Sequence, residues 1–195
     1  MLDYLEIECC DFISHSSGAI ATLHFALMCP ERVNSMVLMN VAAHYPNLKG
    51  MTAFLGDRLA QLLPNPLVLL LFMFYLAERG TPEYDIHKYA FGRFSPLKRY
   101  LKYSLNSIVK THDVRTELKE IGCPVLLINR TDDRVVSMEA MEYMEARFLN
   151  CYGLKTVTGG GHMFHYAHAD TICDYMDNFY YLIKEKGGSP DERQG

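Results

Sequence analysis

The sequence predicts an α/β fold: a mostly parallel sheet flanked by helices and interrupted by an all-helical insertion. Three observations carry this. Short apolar runs of strand character, "CCDFIS", "SMVLMN", "CPVLLIN" and "GLKTVT", alternate with stretches of helical spacing. The first of them runs into a serine-rich turn and then at once into a helix. Between Val41 and Gly122 the pattern changes to proline-punctuated segments with no convincing strand.

Residues 9–14 are the first expected strand. A helix follows from Gly18 to Cys29, with apolar positions at Ala19, Leu23, Ala26 and Leu27, and Pro30 closes it. Residues 35–40 are continuously apolar, as a strand buried on both faces should be. Pro46, Pro64, Pro66, Pro82 and Pro96 divide the next stretch into expected helices at 50–63, 66–79, 83–91 and 96–111. A third strand is expected at 123–129, a helix at 137–148, a fourth strand at 153–158, and a last helix from about Asp170 to Lys186. The chain therefore divides into a core segment at 1–40, a helical insertion at 41–122, a second core segment at 123–186 and a polar, disordered tail at 187–195. No internal repeat is visible.

At 195 residues and 49% hydrophobic, the chain can bury one domain's core. A net charge of -4 provides no footprint for nucleic acid, so no nucleic-acid partner is expected. The longest apolar run, Leu67 to Ala77, is far shorter than the about 20 residues a spanning helix needs. It reads as a buried helix, with a lipophilic lid as the alternative, and no transmembrane segment is expected. The acidic start "MLDYLEIE" argues against a secretory signal. Six cysteines without C-x-x-C spacing, several in apolar runs, point to free thiols in a reducing, cytoplasmic compartment.

The chemistry begins at Ser14-His15-Ser16-Ser17-Gly18. A serine hydroxyl is a poor nucleophile unless it is held out of the sheet beside a base. A sharp turn between strand and helix does this for Ser16, with the small residues Ser14 and Gly18 at its tight positions. The helix that follows places backbone N–H groups, that of Ser17 first, where an oxyanion would develop.

This stretch resembles the elbow G-x-S-x-G of the α/β-hydrolase family, with Ser14 in place of the first glycine. "PERVNSMVLMN" is similar to the family's next crossover and strand, and the resemblance covers roughly Cys9 to Lys186. It implies a triad acid in the turn after the third strand, where Asp133 takes the acid position, Val136 matches, and Arg130 and Ser137 replace the usual glycine and proline. Asp132 is the neighbour not chosen. It implies a triad base in "GGGHMFHYAHAD", where a glycine-rich loop lets His162 reach back toward Ser16. The order Ser16, Asp133, His162 is the family's order. His162 would act as general base and then general acid, with Asp133 fixing its tautomer.

The resemblance further implies that 41–122 is the family's cap over the active site. Leu67–Ala77, with Phe91 and Phe94, favours a small, fairly apolar acyl or aromatic substrate over a sugar. The implied activity is a serine hydrolase of the esterase, lipase or thioesterase kind, without a cofactor, and ester, thioester, amide and C–C bonds all remain open. Serine at position 16 argues against the aspartate-dependent dehalogenases and epoxide hydrolases. The alternative class is a non-catalytic member of the fold that serves as a binding module.

His162, His165 and His168 recur every third residue, but the carboxylate spacing of helix zinc motifs is absent, so no metal is expected. In the family several strands and a loop carrying the second oxyanion donor precede the elbow. The fifteen residues before Ser16 hold one strand and a helix remnant, so the chain is expected to be a fold truncated before the nucleophile strand. Such a chain is expected to be poorly active and to self-associate through an open sheet edge.

Overall fold

In the computed structural model the described residues are 1–45 and 111–186, with isolated positions between them (67, 73, 77, 79–81, 84, 85, 88 and 89). The helices expected between 50 and 111, apart from those positions, and the tail at 187–195 lie outside the described residues. Four parallel strands form one sheet in the order β1 (Cys10–His15), β2 (Val33–Met39), β3 (Val125–Arg130) and β4 (Cys151–Val157). The helices are α1 (Ser17–Met28), α2 (Met138–Glu145) and α3 (Ala169–Lys186). All seven expected elements outside the insertion are present, with ends shifted by a few residues, as cap and fraying geometry commonly produces.

Alternation along the central strands builds two cores, because successive side chains point to opposite faces. Met36, Leu38, Val125 and Leu127 join Ala19 and Leu23 of α1 and Met141 and Met144 of α2 on one face. Val37, Met39, Leu126 and Ile128 meet Ile172 and Phe179 of α3 on the other. Burial on both sides explains why Met36 to Met39 of β2 and Val125 to Ile128 of β3 read as unbroken apolar runs. β1 is the sheet edge among the described residues, and its Ile13 remains 55% exposed.

The residues up to Tyr45 and those from Thr111 onward are tied together. Val114 N–H donates to Ala43 O at 2.9 Å, and His44 and Asp113 form a bridge. The buried His112 donates from Nε2 to Ala42 O at 2.9 Å, which leaves its Nδ1 to accept from His24 Nε2 at 3.0 Å. Val114, Leu118 and Ile121 then pack into the first core, so residues 111–121 are part of the sheet's own support. Among the described residues no helix is long and apolar enough to cross a membrane.

Candidate active site

Four turns at the carboxyl ends of the four strands converge on one place, the end of an open α/β sheet where ligands bind. The first is the turn from β1 into α1. Ser16 N–H donates to Met39 O at 2.9 Å, so β1 stays paired up to the turn itself. Ser16 then takes φ 53° and ψ -122°, and α1 begins at the next residue. This positive φ is a strained conformation for a residue with a Cβ, and it lifts the hydroxyl clear of the strand. As the first helical residue, Ser17 has no intrahelical acceptor for its N–H.

The two small residues of the turn behave differently from each other. A Cβ on Gly18 would meet nothing within 4 Å, and no positive φ requires glycine there, so the crowding expected at this position is absent among the described residues. Ser14 fits an ordinary strand backbone, and its Oγ is buried without a hydrogen-bond partner among the described residues.

The turn after β3 is organised by Asp133. Its Oδ1 accepts from the N–H of Val135 at 2.7 Å and of Val136 at 2.6 Å, an Asx-type turn closed by burial of the Val136 side chain. Ser137 then caps α2, with its Oγ accepting from Ala140 N–H at 3.3 Å. The neighbouring Asp132 points away, 62% exposed, and pairs with Arg130 at 2.6 Å.

The turn after β4 passes through Gly159, Gly160 and Gly161, all with positive φ. At Gly160 a side chain is disfavoured twice over, by the φ of 83° and by Phe164 Cα, which a Cβ would approach to 3.0 Å. Fully buried Phe164 anchors the following turn in the second core and so fixes His162. The residues from His162 to His168 form turns, so the three-residue histidine spacing does not lie along a helix.

The structure brings Ser16, His162 and Asp133 together. His162 Nε2 lies 2.9 Å from Ser16 Oγ, and its Nδ1 lies 3.0 Å from Asp133 Oδ2. The imidazole is 2% exposed and the carboxylate 0%. A carboxylate only accepts, so the Nδ1 proton faces Asp133 and the bare Nε2 accepts from the serine hydroxyl. Burial raises the Asp133 carboxyl's affinity for a proton. The hydrogen bond and charge of His162, with the Val136 and Val135 N–H groups, outweigh it and hold the carboxyl below its usual range.

Two further residues at this site escape motif reading. Asn40, the first residue after β2, is fully buried, and its Nδ2 donates to Asp133 Oδ2 at 2.7 Å and to His162 O at 3.1 Å. His15, the last residue of β1, also donates to His162 O, from Nε2 at 2.9 Å. Its ring packs against those of His162 and His165, with centroids 4.9 and 4.7 Å away. Burial, then the His162 and His165 rings, push the His15 imidazole down to about 3 against the small opposing pull of the His162 carbonyl and Asp133. It therefore stays neutral at physiological pH. The signal for Asn40 was slight: a residue type that tolerates positive φ, here 50°, directly after a buried strand.

This histidine has a measurable consequence. As pH falls below 6.5 the unfolded chain protonates His15, while the folded chain resists until about 3. The unfolded state then binds more protons, so stability falls with falling pH, by at most about 1.4 kcal/mol per pH unit for this one group. Urea melts from pH 8 to pH 4 should show that loss, and His15→Gln, which keeps a donor but does not titrate, should flatten it. An unchanged slope in His15→Gln would refute the assignment.

Among the described residues, no group of three or more His, Cys, Asp or Glu is arranged to hold a metal ion.

Residues 2–175 match the family described as "Alpha/beta hydrolase family". The chain is 29% identical over 181 residues to a protein named "Putative carbamate hydrolase RutD" from Pseudomonas syringae pv. syringae (strain B728a), covering 89% of this chain and 66% of that one. The chain thus spans just under two thirds of the length of the curated relatives it matches. Among solved structures it resembles MGS-M2, an alpha/beta hydrolase enzyme from a Medee basin deep-sea metagenome library. The TM-score is 0.73 at 23% identity, covering 92% of this chain and 67% of that one. A hydrolase from Pseudomonas aeruginosa PA01 gives a TM-score of 0.75 at 21% identity, over 92% of this chain and 67% of that one. These two likenesses bear on the fold. With the family match running from the first short turn into the last helix, the chain belongs to the alpha/beta hydrolase family.

Proposed function

We propose that the chain carries a serine hydrolase centre acting on an ester or related acyl bond of a small, fairly apolar molecule. The observation that carries this reading is the unbroken relay from Ser16 Oγ to His162 Nε2 at 2.9 Å and from His162 Nδ1 to Asp133 Oδ2 at 3.0 Å. In the proposed reaction Ser16 Oγ attacks the acyl carbon while its proton passes to His162 Nε2. The Ser17 N–H donates to the oxyanion of the tetrahedral intermediate. The bond to the leaving group breaks as His162 returns the proton to it, and water repeats the sequence to release the acid and restore Ser16. Asp133, ionised and buried, stabilises the imidazolium formed in each half.

A relative's name adds a chemical hint. A carbamate presents the same kind of acyl carbon to a serine, so the carbamate named for that relative falls within the proposed class. Residues 41–122 are proposed as the helical cap that shapes the pocket, with 1–40 and 123–186 as the core and 187–195 as a tail. The six free cysteines support a reducing, cytoplasmic setting.

A fluorophosphonate probe followed by peptide mass spectrometry tests the reading. One adduct is expected, on Ser16, and none in Ser16→Ala. An adduct that persists on another serine would sink the assignment. No adduct on any serine would favour the non-catalytic binding module.

A further inference from the structure

We infer that Asn40 is a positioning residue that holds His162 and Asp133 in register with each other across two separate loops, an inference that rests on the serine hydrolase reading above. The loops after β3 and β4 are tied where they leave the sheet, by Thr131 N–H to Val157 O at 3.0 Å, but beyond that tie the second runs through three glycines at positive φ before it reaches His162. Glycine runs of this kind hold a side chain poorly unless something outside them grips it. Asn40 does so from a rigid base. Its own N–H donates to Ile128 O at 3.2 Å, continuing the β2–β3 pairing. From there one amide nitrogen reaches the carboxylate of one loop and the carbonyl of the other, at 2.7 and 3.1 Å.

The orientation of this amide follows from its surroundings. Both partners are acceptors, so a flipped amide would set Oδ1 against a carboxylate and a carbonyl. Asn40 Nδ2 also lies 3.1 Å from His162 Nδ1. With the Nδ1 proton facing Asp133, those two nitrogens converge on a shared acceptor, Oδ2, rather than bonding to each other. Asn40 Oδ1 is buried and has no partner among the described residues. An unsatisfied buried acceptor destabilises the fold, a cost that an apolar residue of the same shape would avoid. Packing alone therefore does not account for an amide here, whereas two acceptors that must be joined do.

Two substitutions keep the backbone at φ 50° and remove the donor. Asn40→Gly deletes the side chain where glycine is at ease, and Asn40→Asp keeps its shape while replacing the N–H with a carboxylate oxygen. The readouts are the pH profile of fluorophosphonate labelling at Ser16 and the tautomer of His162 by ¹⁵N NMR of the folded variants. Asn40→Gly should label about 10–100-fold more slowly and show mixed His162 tautomers. In Asn40→Asp a second carboxylate faces Asp133 where the donor stood, and its added negative charge favours the protonated form of the relay, so the acidic limb of the profile should move up by about one pH unit or more. A purely structural role would slow labelling at every pH without moving the limb. An unmoved limb with an unchanged tautomer would overturn the inference. Failure of both variants to fold would overturn it too, by assigning Asn40 to the fold. If the unsubstituted chain shows no adduct at Ser16, the hydrolase reading fails separately, and the tautomer comparison alone decides the role of Asn40.

Discussion

Asp133→Asn is expected to slow acylation of Ser16 about 10⁴-fold while leaving the fold in place, as the loss of the correct histidine tautomer does in the serine proteases. The reason lies in the donor count around one oxygen. Asp133 Oδ1 takes the N–H groups of Val135 and Val136, and Oδ2 takes Asn40 Nδ2 and His162 Nδ1. An asparagine can serve the backbone pair with its own oxygen, which preserves the turn. Its amide nitrogen then faces two other donors. His162 relieves the conflict by moving its proton to Nε2, where it can no longer accept from Ser16. The second-order rate of fluorophosphonate labelling, with circular dichroism as the control on folding, measures this. Asp132→Asn removes an exposed partner of Arg130 and should leave the rate within about threefold, as a surface charge of small effect. The reverse ranking would make Asp132 the acid.

His162→Ala should have the larger effect, about 10⁶-fold, because removing either nucleophile or base from such a set costs nearly the whole catalytic gain. The loop itself should survive. The backbone carbonyl at position 162 still accepts from His15 and Asn40, and Phe164 still anchors the turn in the core. Asp133 loses one donor of four and keeps three, so the stability lost should be about 1–3 kcal/mol rather than that of an abandoned buried charge. A free imidazole added at high concentration can occupy the vacated space beside Ser16 and should restore part of the labelling. Full labelling without added imidazole would exclude His162 as the base.

The sheet is legible in the sequence because its strands show as short runs of strand character, and the proposed site residues Ser16, Asp133 and His162 each follow one of them. The strand positions the residue and the turn chemistry announces it. Asp133 could be preferred over Asp132 only through the resemblance, since adjacent carboxylates in a turn look alike until one is seen to accept two backbone N–H groups. Asn40 and His15 were not legible as site residues. Neither sits in a spacing pattern, and their importance comes from meeting the His162 carbonyl, 122 and 147 residues away in the chain. Gly18 was over-read: its pattern position suggested crowding, and the described residues leave open space there.

The backbone at Ser16 also bears on how this protein responds to selection. A residue with a Cβ held at φ 53° and ψ -122° gives up on the order of 1–3 kcal/mol that a glycine would recover. That is a sizeable part of the 5–15 kcal/mol, roughly, that separates folded from unfolded in an ordinary domain. A library sorted only for thermal resistance would therefore enrich glycine at position 16, and the proposed chemistry would vanish from the winners. Sorting has to alternate heat with probe labelling if both properties are to be kept. The hottest variants that still label should leave this one dihedral untouched and draw their added stability from elsewhere in the sheet and helices.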